Sequence, residues 1–399
     1  MHVVHLTWEY PPLVYGGLGR HVHALARAQA VAGDQVTVVT QQSGDAPTEE
    51  ILDGVRVVRV APDSPFPYHL PSMLTWVGGL DHVIGTAASA LSAADVVHAH
   101  DWVVGRAGST TAAALDAPLI ATIHATEAGR HQGWLPDPVA RAVHLVEQWL
   151  VDEADEIIVC SSAMAGEVIR GHGAQPRRVT VIPNGIDADA FERTTHIREG
   201  LLAGDPRLTF VGRIEWEKGV LVAVAAMPEI LNRHPQARLR IVGTGNQIEA
   251  VESLIAELGV AEHVDLLGHV SEEILREVYS STDLVIIPSS YEPFGLVALE
   301  AAAMGVPLVV GDTGGLAEFV TDERGRRHRP DDPDDLARTV LQALADPVAT
   351  ASRRDEALAA LQRYSWPVIA SSTDDVYRRA VRHPDPRRVL RAPDGRLWD

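Results

Sequence analysis

Two glutamates stand eight positions apart in the stretch SSYEPFGLVALEAAAMG, residues 289–305. Glu292 precedes Pro-Phe-Gly, and Glu300 lies in a run rich in Ala and Leu. Pro293 suits a first helical position, which puts Glu300 about two turns inside a helix, roughly 8–12 Å along its axis. That separation is too wide for two carboxylates sharing a proton. It suits two hydroxyl-bearing groups of one extended ligand. The same helix start leaves the amides near Phe294, Gly295 and Leu296 as donors for a phosphate or a sugar hydroxyl. The plainer reading makes Glu292 an N-cap and Glu300 a satisfied helix residue. A carboxylate among apolar neighbours is costly without a partner, which favours a role for Glu300.

Cations come from VGRIEWEKG, residues 211–219. Arg213 and Lys218, five apart, can grip a diphosphate from two directions. Spacing supports equally well two surface cations paired with Glu215 and Glu217. Gly16, Gly17 and Gly19 of VYGGLGRHVHALA open a helix, where amides and the helix dipole attract an anion. A tight strand-to-helix turn uses the same residues. GxGxxG spacing is absent here, and GTGNQI, residues 243–248, lacks a third glycine, which argues against a dinucleotide enzyme.

These residues need strand ends to hold them. HVVHLT, QVTVVT, VRVVRV, ADVVHAH, PLIATIH, EIIVCSS and VTVIPNG read as buried strands alternating with helical patterns. After IPNGIDADAF the alternation restarts with RLTFVGR and runs through ARLRIVGTG, VDLLGHV, DLVIIPSS and PLVVGDTGG. The expectation is two doubly wound α/β domains, residues 1–190 and 200–365, facing each other across a cleft, with ligands at the carboxyl ends of their strands. The pattern over about 366–382 is a further helix expected to pack back on the first domain. The Pro- and Arg-rich tail, 383–399, is expected to be mobile.

The chain has 399 residues, 46% hydrophobic and 22% charged, with a net charge of −20. That length suits two domains. No basic stripe is present, which excludes the usual footprint of nucleic-acid binding. Cys160 is the single cysteine, so no internal disulfide forms, in keeping with a reducing compartment. It ends the run EIIVC and reads as a buried strand thiol. No run reaches the roughly 20 apolar residues of a membrane helix, and no secretory leader opens the chain. A cytoplasmic location is expected. His21, His23, His98 and His100 alternate, but no Cys or acidic ligand set accompanies them, so no metal is expected. Asp187–Asp189 lies beside Pro-Asn-Gly and reads as a turn.

Glu292 and Glu300 with seven residues between, Arg213 with Lys218, and the Gly16-Gly17-Leu18 loop together resemble the retaining glycosyltransferases of family 4. The likeness runs to about residue 380. It implies the GT-B fold, a nucleotide-sugar donor as substrate and no bound cofactor. By resemblance, Glu300 meets the ribose, Glu292 the donor sugar's hydroxyls, and Arg213 and Lys218 the diphosphate. Gly295 and Leu296, beside Phe294, give backbone donors. His124, in ATIHATEAGRHQGW, stands beside the donor sugar. Read without the family, it is as readily a structural histidine at a strand end. Asp101, in VHAHDW, lines the acceptor side, and WEYPP with Glu9 resembles the N-terminal loop of the glycogen synthase branch.

WEYPPLVYGGLGRHV, VHAHDW and TIHATEAGRHQGW resemble actinobacterial glycogen-synthase-like enzymes, among them the group tied to the α-1,4-glucan of methylglucose lipopolysaccharides. The resemblance implies α-1,4-glucosyl transfer from UDP-glucose or ADP-glucose to a glucan or related acceptor. Glycogen synthases carry Lys-x-Gly-Gly in the first loop, and here Val14 stands in the lysine's place. That leaves the nucleotide open, with transfer of another sugar such as mannose to a non-glucan acceptor as the alternative. A non-catalytic nucleotide-sugar binder is a third reading, against which stand Glu292 and Lys218. A phosphorylase is a fourth, and no pyridoxal lysine motif is present. The loop APDSPFPYHLPSM is expected to shape the acceptor side.

Overall fold

The computed structural model describes residues 1–62, 70–188 and 205–383, with backbone alone at 70–72. Most of the loop APDSPFPYHLPSM, the linker from Asp189 through residue 204, and the tail beyond 383 lie outside the described residues. The turn expected at Asp187–Asp189 is therefore described only as far as Ala188. The chain divides into two compact units. One comprises Met1–Gly185 with the segment from Trp366 onward, and the other Ile186–Ser365.

The first unit is built on eight strands: β1 (His2–Leu6), β2 (Gln35–Gln41), β3 (Glu49–Leu52), β4 (Val55–Val60), β5 (Val96–His100), β6 (Leu119–Ile123), β7 (Glu156–Val159) and β8 (Val179–Val181). Their order is β3-β4-β2-β1-β5-β6-β7-β8. All neighbours pair in parallel except β3 with β4. β1, β5, β6 and β7 are buried along nearly their whole length, because helices cover both faces of a parallel sheet. Cys160 is buried just after β7.

The helix Trp366–Arg382 belongs to this unit. Ile369, Val376, Tyr377 and Ala380 join Val3, Leu25, Val96 and Ile120 in one buried cluster. These residues recur at helical spacing, so one stripe of the helix faces the sheet and the helix Gly17–Val31.

The second unit has six strands: β9 (Arg207–Val211), β10 (Arg238–Val242), β11 (Val264–Gly268), β12 (Leu284–Ile287), β13 (Leu308–Gly311) and β14 (Arg326–His328). They run in the order β11-β10-β9-β12-β13-β14, all parallel. Leu208, Phe210, Leu239, Ile241, Leu284 and Ile286 anchor its core. Both sheets are doubly wound. Strand order reverses between β1 and β5 in one and between β9 and β12 in the other, and ligands bind at such reversals.

Two strands read as buried are only partly so: β4 alternates buried and half-buried residues, and β8, at the sheet edge, has no buried residue. Two further strands were absent from the sequence reading. β3 (EEIL) and β14 (RRH) were not expected from apolar runs. Each lies at a sheet edge, where charged side chains are common because they discourage pairing with other chains. β3 also makes an otherwise parallel sheet mixed. Among the described residues no helix is long and apolar enough to cross a membrane.

Candidate active site

In the second unit the chemistry gathers at the reversal point. Arg213 and Lys218 follow β9, and Glu292 follows β12. A 3₁₀ turn, Trp216–Lys218, ends at Gly219, whose φ of +69° turns the chain into the next helix. A Cβ at Gly219 would stand 2.0 Å from the Pro288 carbonyl oxygen, so glycine permits the β9 loop to lie against the β12 loop. The Ser290 amide donates to the Glu217 carbonyl at 2.9 Å and locks the two loops together.

Lys218 Nζ lies 2.7 Å from Glu292 Oε2, and Arg213 Nη2 lies 2.9 Å from Glu217 Oε1. Of the partners the spacing offered, Arg213 takes Glu217, while Lys218 takes Glu292, 74 residues away. Both cations therefore sit at the strand ends, each already opposed by one carboxylate. The Arg213 side chain is about half exposed, at 48%. The Glu292 carbonyl accepts from the Gly315 amide at 3.0 Å, and Thr313 Oγ1 donates to the Ser290 carbonyl at 3.0 Å. These bonds brace the Glu292 loop from the segment after β13.

The helix after this loop is Leu296–Ala303, three residues later than Pro293 implied. Gly295 takes φ +98° and ψ 62°, a left-handed conformation that delays the helix start. Glu300 is consequently the fifth helical residue, just over one turn in rather than two. It is buried, and the Tyr279 hydroxyl donates to its Oε2 at 3.4 Å. The Phe294 side chain is buried with its ring 5.9 Å from Tyr364. The first backbone bond at this end runs from the Ala298 amide to the Gly295 carbonyl. The Gly295 and Leu296 amides stand ahead of it, at the helix N-terminus where donors lack intrahelical partners.

In the first unit the candidate groups also follow adjacent strands: Glu9 after β1, Asp101 after β5, and His124 after β6. Glu9 is buried, and its Oε2 accepts from the Tyr15 amide at 2.8 Å and the Gly16 amide at 3.0 Å. The anion at this glycine turn is thus Glu9 itself, and the Gly16 amide faces it. Gly17 begins the helix Gly17–Val31. Burial, partly offset by these amides, raises the Glu9 carboxyl above its usual range.

Asp101 sits at φ +62° and ψ 173°, a conformation rare for a residue with a side chain. Its Oδ1 accepts from the His124 amide at 2.7 Å, so Asp101 positions the backbone at His124. Desolvation pushes the Asp101 carboxyl up to about 7, against the pull of the His124 amide and Arg130.

The fold also gathers histidines that the sequence reading left apart. His5 on β1, His98 and His100 on β5, His21 on the first helix and His124 beyond β6 converge. His5 Nδ1 lies 3.0 Å from His100 Nε2, and His100 Nδ1 lies 3.2 Å from His124 Nε2. His21 stacks edge-on with His124, centroids 4.8 Å apart, while His23 points away to Asp53. Burial lowers the pKa of all five, His5 and His124 to about 4. One signal was legible: HAH in a strand places His98 and His100 on one face. Three groups of described residues have ligand atoms close enough for a metal: His5–His98–His100, His21–His100–His124 and His144–Glu147–His172.

Residues 192–360 match the family described as glycosyl transferases group 1, and residues 15–190 match glycosyltransferase family 4. A glycogen synthase from Mycobacterium tuberculosis is 40% identical over 410 residues, covering 97% of each chain. An uncharacterised glycosyltransferase from Methanocaldococcus jannaschii is 35% identical, covering 96% of this chain and 99% of its own. The structure of a sucrose-phosphate synthase from Thermosynechococcus elongatus superposes with a TM-score of 0.82 at 25% identity, covering 95% of this chain and 98% of that one.

Proposed function

The chain belongs to the family 4 glycosyltransferases, and on that premise we propose that it moves glucose from UDP-glucose or ADP-glucose to an α-1,4-glucan-type acceptor with retention of configuration. The observation that carries this reading is the convergence of Arg213, Lys218 and Glu292 at the β9/β12 reversal, with Lys218 Nζ 2.7 Å from Glu292 Oε2. Permanent cations suit the leaving diphosphate, and a carboxylate beside them suits sugar hydroxyls. The full-length relationship to a glycogen synthase supports glucose as the sugar and a glucan as the acceptor.

In the proposed reaction the bond from the anomeric carbon to the diphosphate oxygen breaks, and its electron pair leaves with the nucleoside diphosphate. The acceptor hydroxyl oxygen bonds to the same carbon from the same face. Its proton passes to an oxygen of the departing diphosphate. Arg213, Lys218 and the Gly295 and Leu296 amides neutralise the charge that builds on the leaving group. Glu300 holds the ribose hydroxyls, and Glu292 those of the donor sugar. His124 lies beside the sugar, fixed by Asp101. Protein cations supply the positive charge in place of a bound metal, so turnover should survive a chelator.

The test is donor turnover with UDP-glucose, ADP-glucose and GDP-mannose, each with a maltooligosaccharide, reading nucleoside diphosphate release and product linkage by NMR. An α-1,4-extended product with a retained anomeric centre from a glucose donor is expected. Release from GDP-mannose alone, or release without chain extension, overturns the glucan assignment.

A further inference from the structure

Gln29 is fully buried on the helix Gly17–Val31. Its Oε1 lies 2.8 Å from His5 Nε2, and its Nε2 lies 3.4 Å from Asp374 Oδ1 on the helix Trp366–Arg382. We propose that Gln29, oriented by Asp374, sets the tautomer of His124 through a one-way chain of imidazole hydrogen bonds, making Gln29 and Asp374 positioning residues for the transfer reaction. The inference rests on the assignment of His124 to the donor-sugar side.

The direction follows from what each group can donate. Burial and the neighbouring Asp34 raise the Asp374 carboxyl to about 6, so at pH 8 it is ionised and only accepts; it turns the Gln29 amide NH₂ towards itself and leaves the carbonyl oxygen facing His5. A carbonyl oxygen also only accepts, so the proton is on His5 Nε2. A neutral imidazole carries one N–H, so His5 Nδ1 is a lone pair. His100 Nε2, 3.0 Å away, must therefore donate, and His100 Nδ1 becomes the next acceptor. His124 Nε2, at 3.2 Å, donates to it. The proton position at Gln29 thus passes through three rings to His124.

The chain holds only if the rings are neutral. His5 and His100 are completely buried, and each hydrogen bond along the chain runs to an amide or another imidazole rather than to a carboxylate. A charged ring would offer two donors and leave one facing another donor. A second branch starts from the same helix. His98 Nδ1 lies 2.6 Å from the Tyr377 hydroxyl, and its Nε2 lies 2.7 Å from Thr122 Oγ1. Tyr377 stands three residues after Asp374 on the same helix, so this helix fixes both branches.

The consequence lies at the far end. His124 carries its proton on Nε2, turned inward, and keeps an unprotonated Nδ1. Such a ring accepts a hydrogen bond from a sugar hydroxyl and cannot deliver a proton to the leaving group. His124 therefore orients the donor sugar as an acceptor.

The test is ¹⁵N-histidine NMR of the full-length protein at pH 8, with His124 assigned by its loss in His124→Asn. The wild type should show the Nε2–H form at His124. Gln29→Leu removes the fixed acceptor and should give a mixed or Nδ1–H signal. With nucleotide sugar, Gln29→Leu should lower kcat about tenfold with donor KM within about twofold, as misorientation of one group does. If Gln29→Leu fails to fold, Asp374→Ala frees the Gln29 amide to rotate and should loosen the tautomer in the same way. An Nδ1–H His124 in the wild type, or an Nε2–H form unchanged in both variants, overturns the proposal. The NMR readout needs no turnover, so absence of glucosyl transfer would refute the functional assignment without touching the tautomer chain.

Discussion

The two units carry the same topology at their reversal points and fill it with opposite chemistry. At β9/β12 the candidate groups are joined as ion pairs, Lys218 with Glu292 and Arg213 with Glu217. At β1/β5 they are imidazoles held neutral by burial and carboxyls pushed towards their neutral form. The difference teaches how one fold divides a transfer reaction. A diphosphate leaving group rewards fixed charge, while uncharged sugar hydroxyls reward directional hydrogen bonds. On the proposed function, the second unit's charges neutralise the leaving group and the first unit's groups orient the sugar.

The comparison breaks most directly at Lys218. If Lys218 meets the leaving diphosphate as proposed, Lys218→Ala should lower kcat by about a thousandfold. Nucleoside diphosphate release measures it, with circular dichroism to confirm the fold. Lys218→Arg keeps the charge but changes its geometry and should recover only part of the loss. Near-normal turnover in Lys218→Ala would remove the charged half of the contrast.

Glu300 sharpens the same half by separating binding from chemistry. Its carboxylate is buried with Tyr279 as a hydrogen-bond donor. Glu300→Ala should raise the donor KM by about 10- to 100-fold, the range of a charged hydrogen bond, with kcat within about twofold. A fall in kcat at unchanged KM would place Glu300 in the reacting part of the site.

Much of this was legible in the chain, and the gaps have physical causes. Apolar runs between helical patterns revealed the central strands of both sheets, since a parallel strand covered on both faces must be apolar throughout, but they overstated the burial of β4 and of the edge strand β8. The charged edge strands β3 and β14 escaped for the converse reason. Pro293 signals a helix start three residues too early, because the left-handed Gly295 sets the start of the helix bearing Glu300. Lys218 pairing with Glu292, and the line from Gln29 to His124, are contacts between distant segments. Local spacing carries no trace of them until the strands are ordered. His98 and His100 on one strand face were the part of the cluster that alternation could reveal.

Gly295 tests whether the donor-side loop is as rigidly set as its charges. A Cβ there would lie 2.5 Å from Leu316 Cδ2, at a φ of +98°. Gly295→Ala should destabilise the protein by about 1–3 kcal/mol through backbone strain and the clash. Thermal denaturation with and without nucleoside diphosphate measures it, and a weaker ligand-induced shift is expected because the helix start moves.

The smallest effect gives the sharpest contrast, because its sign differs between the units. Asp101 has its carboxyl raised to about 7, chiefly by desolvation, whereas an unfolded Asp titrates near 3.9. The folded state therefore binds more protons between those values. The contribution of this group to stability is whole below about pH 4 and is lost as pH rises through 7. Asp335 in the second unit is lowered instead, first by the Arg329 amide and then by Arg338. Its contribution is present above the unfolded pKa and fades as pH falls. Asp101→Asn keeps an oxygen for the His124 amide without the charge, so it should flatten the loss of stability between pH 4 and 8. Because Asp101 is only partly buried, the gain at pH 8 is about 1–2 kcal/mol rather than the full value of the shift. Asp335→Asn should show the reverse, losing stability at pH 8 and converging with the wild type in acid. Denaturant midpoints across this range read both signs, and parallel curves for Asp101→Asn and the wild type would show that the first unit does not hold this carboxyl near neutrality.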